Sequence, residues 1–166
     1  MLDPQHFLAY VVRPSLDSIG LWSPAAERLL LGTAIVESRL TWLRQHGGGP
    51  ARGVYQIEPA THDDIWAHYL AYRDGLANRV ARLAGERPRV DQLAWNLGYA
   101  TAIARLVYYR RPEPLPHAED LAGLARYWKA HFNTALGAGA AEDFLTRAGP
   151  ILENLRAPGN PPITAP

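Results

Sequence analysis

The pattern of apolar and polar positions predicts a chain built mainly of helices. An uncharged run of eight residues extends from Leu29 to Val36. It is apolar on almost every side of a helix, which is typical of a central helix that its neighbours bury. Ser23 followed by Pro24 predicts where this helix starts, because serine caps helix N-termini and proline suits the first position. We expect the helix to run to about Leu43.

Other segments with helical spacing lie between clusters of proline and glycine. Asp3 and Pro4 predict a short first helix over residues 3–12, which Pro14 is expected to end. Four glycines and one proline between Arg44 and Gly53 predict a loop. The VYQI segment after it is expected to be a very short strand or an extended turn. Further helices are predicted from Pro59 and over residues 74–84, 90–109, 121–132 and 142–154.

Composition favours one ordinary globular domain. The chain has 166 residues, 48% of them hydrophobic, and a net charge of +1, so nothing points to nucleic acid, for which a clustered basic face is expected. It has no cysteine, hence no disulfide and no cysteine metal site. We predict a single mainly α domain over residues 1–156. The tail, residues 157–166, contains four prolines and is expected to be disordered.

No targeting or membrane segment is apparent from the sequence. The N-terminus lacks the basic start and apolar core of a secretory signal peptide. The longest apolar run is far shorter than a membrane span. A protein of this kind that acts outside the cytoplasm would need another route of delivery.

Glu37 directly follows the apolar run and poses a chemical question. A carboxylate in apolar surroundings pays a large desolvation penalty unless it is paired or takes up a proton. One interpretation is a surface glutamate at the end of the helix, paired with Arg39, Arg44 or Arg52. The other is a carboxyl group whose raised proton affinity has a function.

A second motif favours the functional interpretation. GVYQIEPAT begins at Gly53, sixteen residues after Glu37. With Glu37-Ser38, it resembles the soluble lytic transglycosylases and their phage relatives in the goose-type lysozyme superfamily. That family has Glu-Ser at a helix end, a glycine-rich loop, and then Gly-Leu-Met-Gln-hydrophobic-x-Pro-x-Thr. The matching positions here are Gly53, Gln56, Ile57, Pro59 and Thr61, while Val54 and Tyr55 replace the Leu-Met pair.

The resemblance covers residues 23–65 and extends, more loosely, to about residue 133. Asn96 and Tyr99 stand where the family has Asn-Ile-x-x-Gly-x-x-Tyr, with different spacing. Tyr127 matches the tyrosine of the family's Ala-Tyr-Asn-Ala-Gly element, and Trp128 replaces its asparagine.

The resemblance implies a lysozyme-like fold and a peptidoglycan lytic transglycosylase that cleaves the β-1,4 bond between MurNAc and GlcNAc. Glu37 would be the catalytic acid and base, and Tyr127 would also lie close to it. The implied substrate-binding residues are Ser38, Tyr55, Gln56, Tyr127 and Asn96. Each has a plainer alternative: a helix-end hydroxyl for Ser38, core packing for Tyr55 and Tyr127, and backbone bonding for Gln56 and Asn96. No cofactor and no metal are implied, and the partner is the glycan strand of the wall.

The chemistry agrees with this assignment. Cleavage of a glycosidic bond needs a protonated carboxyl group beside the leaving oxygen, and burial in an apolar site raises a carboxyl pKa toward neutrality. A transglycosylase needs only this carboxyl group, because the 6-hydroxyl of the sugar closes a 1,6-anhydro ring. A hydrolysing muramidase normally needs a second one, for which Glu58, Asp63 and Asp64 are the candidates.

Three further expectations concern neighbouring residues and biological setting. His62 beside Asp63 and Asp64 is not expected to bind metal, because a second well-spaced histidine is missing. Basic residues at 105, 110 and 111 are expected to form a solvated face. By analogy, the protein is a phage endolysin or a virion component that acts on the periplasmic wall. A non-catalytic phage structural or glycan-binding module remains an alternative from another class.

Overall fold

The computed structural model describes residues 1–45, 47–85, 89–133 and 139–155. Within these ranges the chain is helical, as predicted, and no strand forms. Two isolated antiparallel bridges join Arg44 to Arg52 and Arg52 to Ile57, so VYQI is a turn whose last residue, Ile57, belongs to the second bridge. Two π-helical turns, Leu8–Val12 and Lys129–Asn133, and a 3-10 turn, Leu70–Tyr72, extend the helices. The α-helices are α1 Pro4–Phe7, α2 Arg13–Ile19, α3 Pro24–Ser38, α4 Pro59–His68, α5 Asp74–Leu83, α6 Gln92–Trp95, α7 Leu97–Tyr109, α8 Leu121–Trp128, α9 Ala141–Arg147 and α10 Gly149–Asn154.

Helix α3 is the buried centre of this single domain, as its sequence predicts. Ser23 caps it, its side chain accepting a hydrogen bond from the backbone N–H of Ala26 at 3.1 Å. Every residue from Leu29 to Val36 is buried. The helix packs against α7, α8, α9, α10 and the first π-helical turn. Glu37 therefore stands at the end of a segment that other helices enclose.

The prediction that this helix runs to Leu43 is wrong, because α3 ends at Ser38. Arg39 and Leu40 both have left-handed backbone conformations, with φ of 53° and 51°. The turn buries the Leu40 side chain, and the N–H groups of Thr41 and Trp42 bond the Ser38 carbonyl. Burial of Leu40 thus accompanies two unfavourable backbone conformations that the sequence does not signal.

The first helical segment continues past Pro14, contrary to expectation. A π-helical turn precedes the proline, and the N–H of Arg13 bonds the carbonyl of Leu8. The hydrogen bond from Arg13 to Leu8 spans five residues instead of the four of an α-helix. Pro14 then lies in the first turn of α2. A proline is tolerated there because no partner is required for its missing N–H.

Two predicted long helices are each divided in two. The segment 90–109 breaks at Asn96, whose side chain caps α7 by accepting from the N–H of Tyr99 at 3.0 Å. The segment 142–154 breaks at Ala148, between α9 and α10. Residue 156 and the predicted disordered tail 157–166 lie outside the described residues. Within the described ranges, no helix combines the length and apolar character that crossing a membrane requires.

Candidate active site

Glu37 lies in the last turn of α3, and its side chain is largely enclosed. Burial raises the pKa of this carboxyl from 4.5 to about 7. Two groups act in the opposite direction: the indole of Trp128 through a hydrogen bond, and Arg147 through its positive charge. The desolvation effect is the largest of the three, so both protonation states of Glu37 are accessible near neutral pH.

Trp128 makes the direct contact with the acid. Its indole Nε1–H donates to Glu37 Oε1 at 3.0 Å. The tryptophan ends α8 and is 1% exposed, and its ring lies 6.0 Å from that of Phe144 in α9. The close approach of Phe144 depends on Gly32, because a Cβ at Gly32 would lie 2.2 Å from the ring. The indole is therefore held by packing as well as by its bond to Glu37.

Arg147 provides the positive charge near the acid. One guanidinium nitrogen donates to the carbonyl of Val36 at 3.3 Å, and another forms an ion pair with Asp143 at 3.3 Å. The side chain is partly exposed, so salt screens its influence on Glu37. Both α8 and α9 thus contribute a residue that lowers the pKa of the acid.

Tyr127 does not bond Glu37. Its hydroxyl donates to the carbonyl of Glu113 at 2.8 Å, and its ring lies 5.7 Å from that of Tyr108. Tyr108 is fully buried, and its hydroxyl lies 2.7 Å from Thr33 Oγ1, one turn before Glu37. Tyr127 therefore packs against Tyr108. The next residue in the chain, Trp128, is the one that donates a hydrogen bond to Glu37.

Ser38 and Gln56 stabilise the backbone around the acid. The Ser38 hydroxyl is buried and donates to the carbonyl of Ala34 at 3.1 Å. Gln56 has a φ of 48°, and its amide donates to the carbonyl of Gly53 at 2.7 Å and to that of Trp42 at 3.4 Å. Gln56 is half-buried and joins the turn to the segment that follows α3. Ser38 acts in this structure as a helix-end hydroxyl.

Tyr55 lies in the core, and Asn96 is half-buried at the start of α7. Tyr55 is 0% exposed, and its hydroxyl lies 3.0 Å from Thr101 Oγ1. Burial raises its pKa well above the ordinary value. The Asn96 amide donates to the carbonyl of Leu83 and to Gln92 Oε1. Tyr55 is therefore a core residue in this structure and Asn96 a helix cap, and their contact with substrate stays a prediction.

The candidate second carboxylates have other partners or lie in solvent. Asp63 lies 2.8 Å from His62. Asp64 contacts Arg110 and His68, and the bond with Arg110 holds the Asp64 pKa below its usual value. Glu58 is exposed just before α4. Among the described residues, those that shift the pKa of Glu37 are Trp128 and Arg147, and neither is acidic.

His62 is part of a hydrogen-bonded network rather than of a ligand cluster. Its Nε2 lies 2.7 Å from the Tyr99 hydroxyl, which also accepts from the Trp66 indole at 2.7 Å. Burial raises the pKa of Tyr99 to about 12. Within the part of the chain that the structure describes, no three histidine, cysteine or acidic side chains converge as metal ligands would.

The basic residues at 105, 110 and 111 do not form the predicted solvated face. Arg105 is buried, and its Nε donates to the carbonyl of Leu21 at 3.3 Å. Arg110 and Arg111 are half-buried. At least Arg105 is therefore a structural residue that joins α7 to the segment before α3.

Comparison of the chain with protein-family models, curated proteins and solved structures found no match. The function is therefore argued from the groups around Glu37.

Trp128 and Arg147 are the two site residues that sequence reasoning did not identify. Trp128 was noted as the residue that replaces an asparagine after Tyr127, but not as a partner of Glu37. No periodic pattern connects either residue to Glu37, because the contacts span 91 positions from Trp128 to Glu37 and 111 from Arg147 to Val36.

Proposed function

We propose that this protein is a lytic transglycosylase that cleaves the β-1,4 bond between MurNAc and GlcNAc in peptidoglycan. The observation that carries the proposal is the enclosed carboxyl of Glu37, whose pKa of about 7 suits proton transfer in both directions near neutral pH. The Glu-Ser and Gly53–Thr61 motifs support the same substrate class by their resemblance to the transglycosylases. The proposed fold type is accordingly lysozyme-like.

Glu37 serves as acid and then as base in the proposed reaction. The protonated carboxyl group gives its proton to the glycosidic oxygen, and the bond from that oxygen to the anomeric carbon of MurNAc breaks. The 6-hydroxyl of the same MurNAc then attacks its anomeric carbon and forms a 1,6-anhydro ring. The hydroxyl proton passes to Glu37, which restores the starting protonation state, so no water is consumed and no cofactor is needed.

The groups that influence Glu37 support a reaction that uses a single carboxyl group. An inverting hydrolase holds its two carboxyl groups roughly 6.5–9.5 Å apart so that one can activate water. In the described part of the chain, the charge that influences Glu37 comes from Arg147 and not from a carboxylate. Asp63 instead contacts His62, and Asp64 contacts Arg110 and His68. A one-carboxylate mechanism is therefore the better match.

The indole of Trp128 positions the acid. Its N–H occupies Oε1, so Oε2 is the oxygen that we assign to proton transfer with the substrate. Because the same hydrogen bond favours the ionised form, it also keeps the pKa from rising beyond the neutral range.

The test is digestion of purified peptidoglycan by wild type, Glu37→Gln and Glu58→Gln, with products read by mass spectrometry. We expect wild type and Glu58→Gln to release fragments lighter by one water than hydrolytic products, and Glu37→Gln to release none. Ordinary reducing ends would instead indicate a muramidase of the endolysin type. Absence of fragments from wild type on several wall types would indicate a glycan-binding or virion structural module.

The proposed site of action is the periplasmic wall, which a phage-encoded protein would reach from the virion or after release from the cell. This part of the proposal rests on the resemblance to phage relatives.

A further inference from the structure

Two arginines, Arg44 and Arg52, lie opposite each other in the segment that follows Glu37 in the chain. Arg44 and Arg52 form an isolated antiparallel bridge. The flanking hydrogen bonds run from Gln45 N to Ala51 O at 3.1 Å and from Gly53 N to Leu43 O at 2.9 Å. This pattern defines the close type of antiparallel pair, whose side chains share one face and whose Cα atoms lie about 4.5 Å apart. Like charges in such a position repel each other.

The described residues offer no charge that relieves this repulsion. None of their acidic side chains lies within ion-pair distance of Arg44 or Arg52. Arg52 is half-buried, and its Nε is buried without a hydrogen-bond partner in the described part of the chain. Arg28, Arg110 and Arg111 share this feature, so what sets Arg52 apart is its position opposite a second arginine.

The backbone of Arg52 cannot easily move to relieve the pair. Its N–H and carbonyl exchange hydrogen bonds of 3.0 Å with Ile57, and the Ile57 side chain is buried. Gly53 follows directly with a φ of 74°, and a Cβ there would lie 1.8 Å from the carbonyl of Leu93. The close fit of Gly53 against α6 therefore fixes the position from which Arg52 extends.

The arginine pair belongs to the same stretch of structure as Glu37. The N–H of Trp42 bonds the carbonyl of Ser38 at 3.2 Å, and the Trp42 carbonyl in turn accepts from Gln56. Arg44 lies two residues after Trp42, within roughly 7 Å of it along even a fully extended backbone. A ligand at the acid and a substituent at the arginines can thus belong to one polymer.

We propose that Arg44 and Arg52 form a subsite for an oxyanion carried by the wall polymer, in the first place a carboxylate of its peptide stem. Two guanidinium groups on one face offer several N–H donors, and carboxylates accept them in paired, charge-assisted bonds. Bound carboxylate offsets the repulsion between the two guanidinium groups. This subsite rests on the proposed function, since it is peptidoglycan that brings the stem to the site. A phosphate of a wall polymer has the same chemistry and is separated from the stem by the test below.

The test measures binding rather than cleavage. The Glu37→Gln protein is titrated with glycan strands that carry peptide stems and with the same strands after an amidase has removed the stems. Added substitutions are Arg44→Gln with Arg52→Gln, and Arg44→Lys with Arg52→Lys. Arg82→Gln with Arg126→Gln is the matched control, because it removes the same charge from two exposed positions. Thermal unfolding of each variant verifies that it is folded.

We expect the Arg44 and Arg52 glutamine pair to weaken binding of stem-bearing strands by at least about tenfold, in line with charge-assisted hydrogen bonds. The lysine pair should weaken it less, and the control pair hardly at all. Stem-free strands should bind every variant equally. A loss that survives stem removal but disappears when phosphate polymers are stripped from the wall assigns the same subsite to phosphate.

The proposal is overturned if the glutamine pair binds stem-bearing strands as the control does. It is also overturned if its loss persists on strands without stems and without phosphate polymers, or if the Glu37→Gln protein binds no strand. Failure of the proposed function has a separate signature, since wild type would then release no anhydro fragments while the arginine dependence of binding persisted.

Discussion

Trp128 Nε1 lies 3.0 Å from Glu37 Oε1, although the two residues are 91 positions apart in the chain. The bond joins the end of α8 to the end of α3, in surroundings that otherwise penalise charge. The pKa of Glu37 therefore depends on where packing holds the indole of Trp128, and a change in that pKa can be measured.

Replacement of Trp128 by phenylalanine should move the pH dependence of cleavage upward. The substitution removes the N–H that lowers the Glu37 pKa, so the pKa should rise above about 7. A general acid works in its protonated form, and the activity lost as pH rises should therefore be lost at a higher pH. Rates of fragment release between pH 5 and 9 provide the measurement.

Trp95→Phe is the matched control for that experiment, because Trp95 is exposed and should leave the profile unchanged. If Trp128→Phe loses activity at the same pH as wild type on the alkaline side, or at a lower pH, the indole does not lower the pKa of Glu37.

Arg147→Gln should raise the Glu37 pKa by the loss of a positive charge. Because the arginine is partly exposed, high salt should produce part of the same shift in wild type and none in the variant. The pH profiles of both proteins at low and high salt test this. Arg147→Lys, which keeps the charge, should resemble wild type, and equal salt responses in wild type and Arg147→Gln would contradict the assignment.

Glu37→Gln should stabilise the protein at pH 8 and have little effect at pH 4. The folded-state pKa of about 7 exceeds the ordinary value of 4.5, so the unfolded chain loses this proton first. Stability therefore falls as pH rises from about 4.5 to 7, and the penalty is constant above that range. At roughly 1.4 kcal/mol per pKa unit, the gain from the substitution has an upper bound of about 3–4 kcal/mol.

Urea unfolding of wild type and Glu37→Gln at the two pH values is the measurement. Glu58→Gln, at an exposed position, controls for the loss of one carboxylate. Equal stability of wild type and Glu37→Gln at both pH values would show that the carboxyl group has no raised pKa.

Gly32→Ala should destabilise the fold by about 1–3 kcal/mol, the usual cost of overpacking a core. The new methyl group would overlap the Phe144 ring and push α9 away from α3. Phe144→Leu in the same chain should recover part of the loss, because the smaller side chain leaves space. Gly149→Ala is the control, since a Cβ there meets nothing within 4 Å, and an equal loss in both alanine variants would contradict the packing argument.

Local signals in the sequence predicted the helices well but their ends less well. The Ser23 cap and the buried run before Glu37 follow from interactions within a few residues, and the structure confirms both. The end of α3 did not follow, because Arg39 and Leu40 adopt a backbone conformation that glycine would normally signal. The break at Asn96 had a local signal, since asparagine is a favoured N-cap, but the continuous apolar spacing around it predicted one helix.

The candidate site was predictable only in part. Glu37 could be identified because its chemistry conflicts with the apolar residues before it. Its partners could not, because Trp128 and Arg147 reach it through the packing of α8 and α9 on α3, and no local pattern encodes that packing. Of the motif positions, Ser38 and Gln56 bond the backbone near the end of α3, Tyr55 packs in the core, and Asn96 caps α7. The resemblance to lytic transglycosylases stays a prediction that the digestion experiment tests.

Phe144 and Arg147 are synthesised long after the helix that they complete, since Arg147 follows Val36 by 111 positions. A nascent chain that ends before Ala141 already contains Glu37, but it lacks the ring behind Trp128 and the guanidinium beside the carboxyl group. Such a chain cannot yet have the acid strength of the finished protein. Glu37 can therefore acquire its final proton affinity only after α9 has been translated, and a product truncated before α9 would carry the carboxyl group without Phe144 and Arg147.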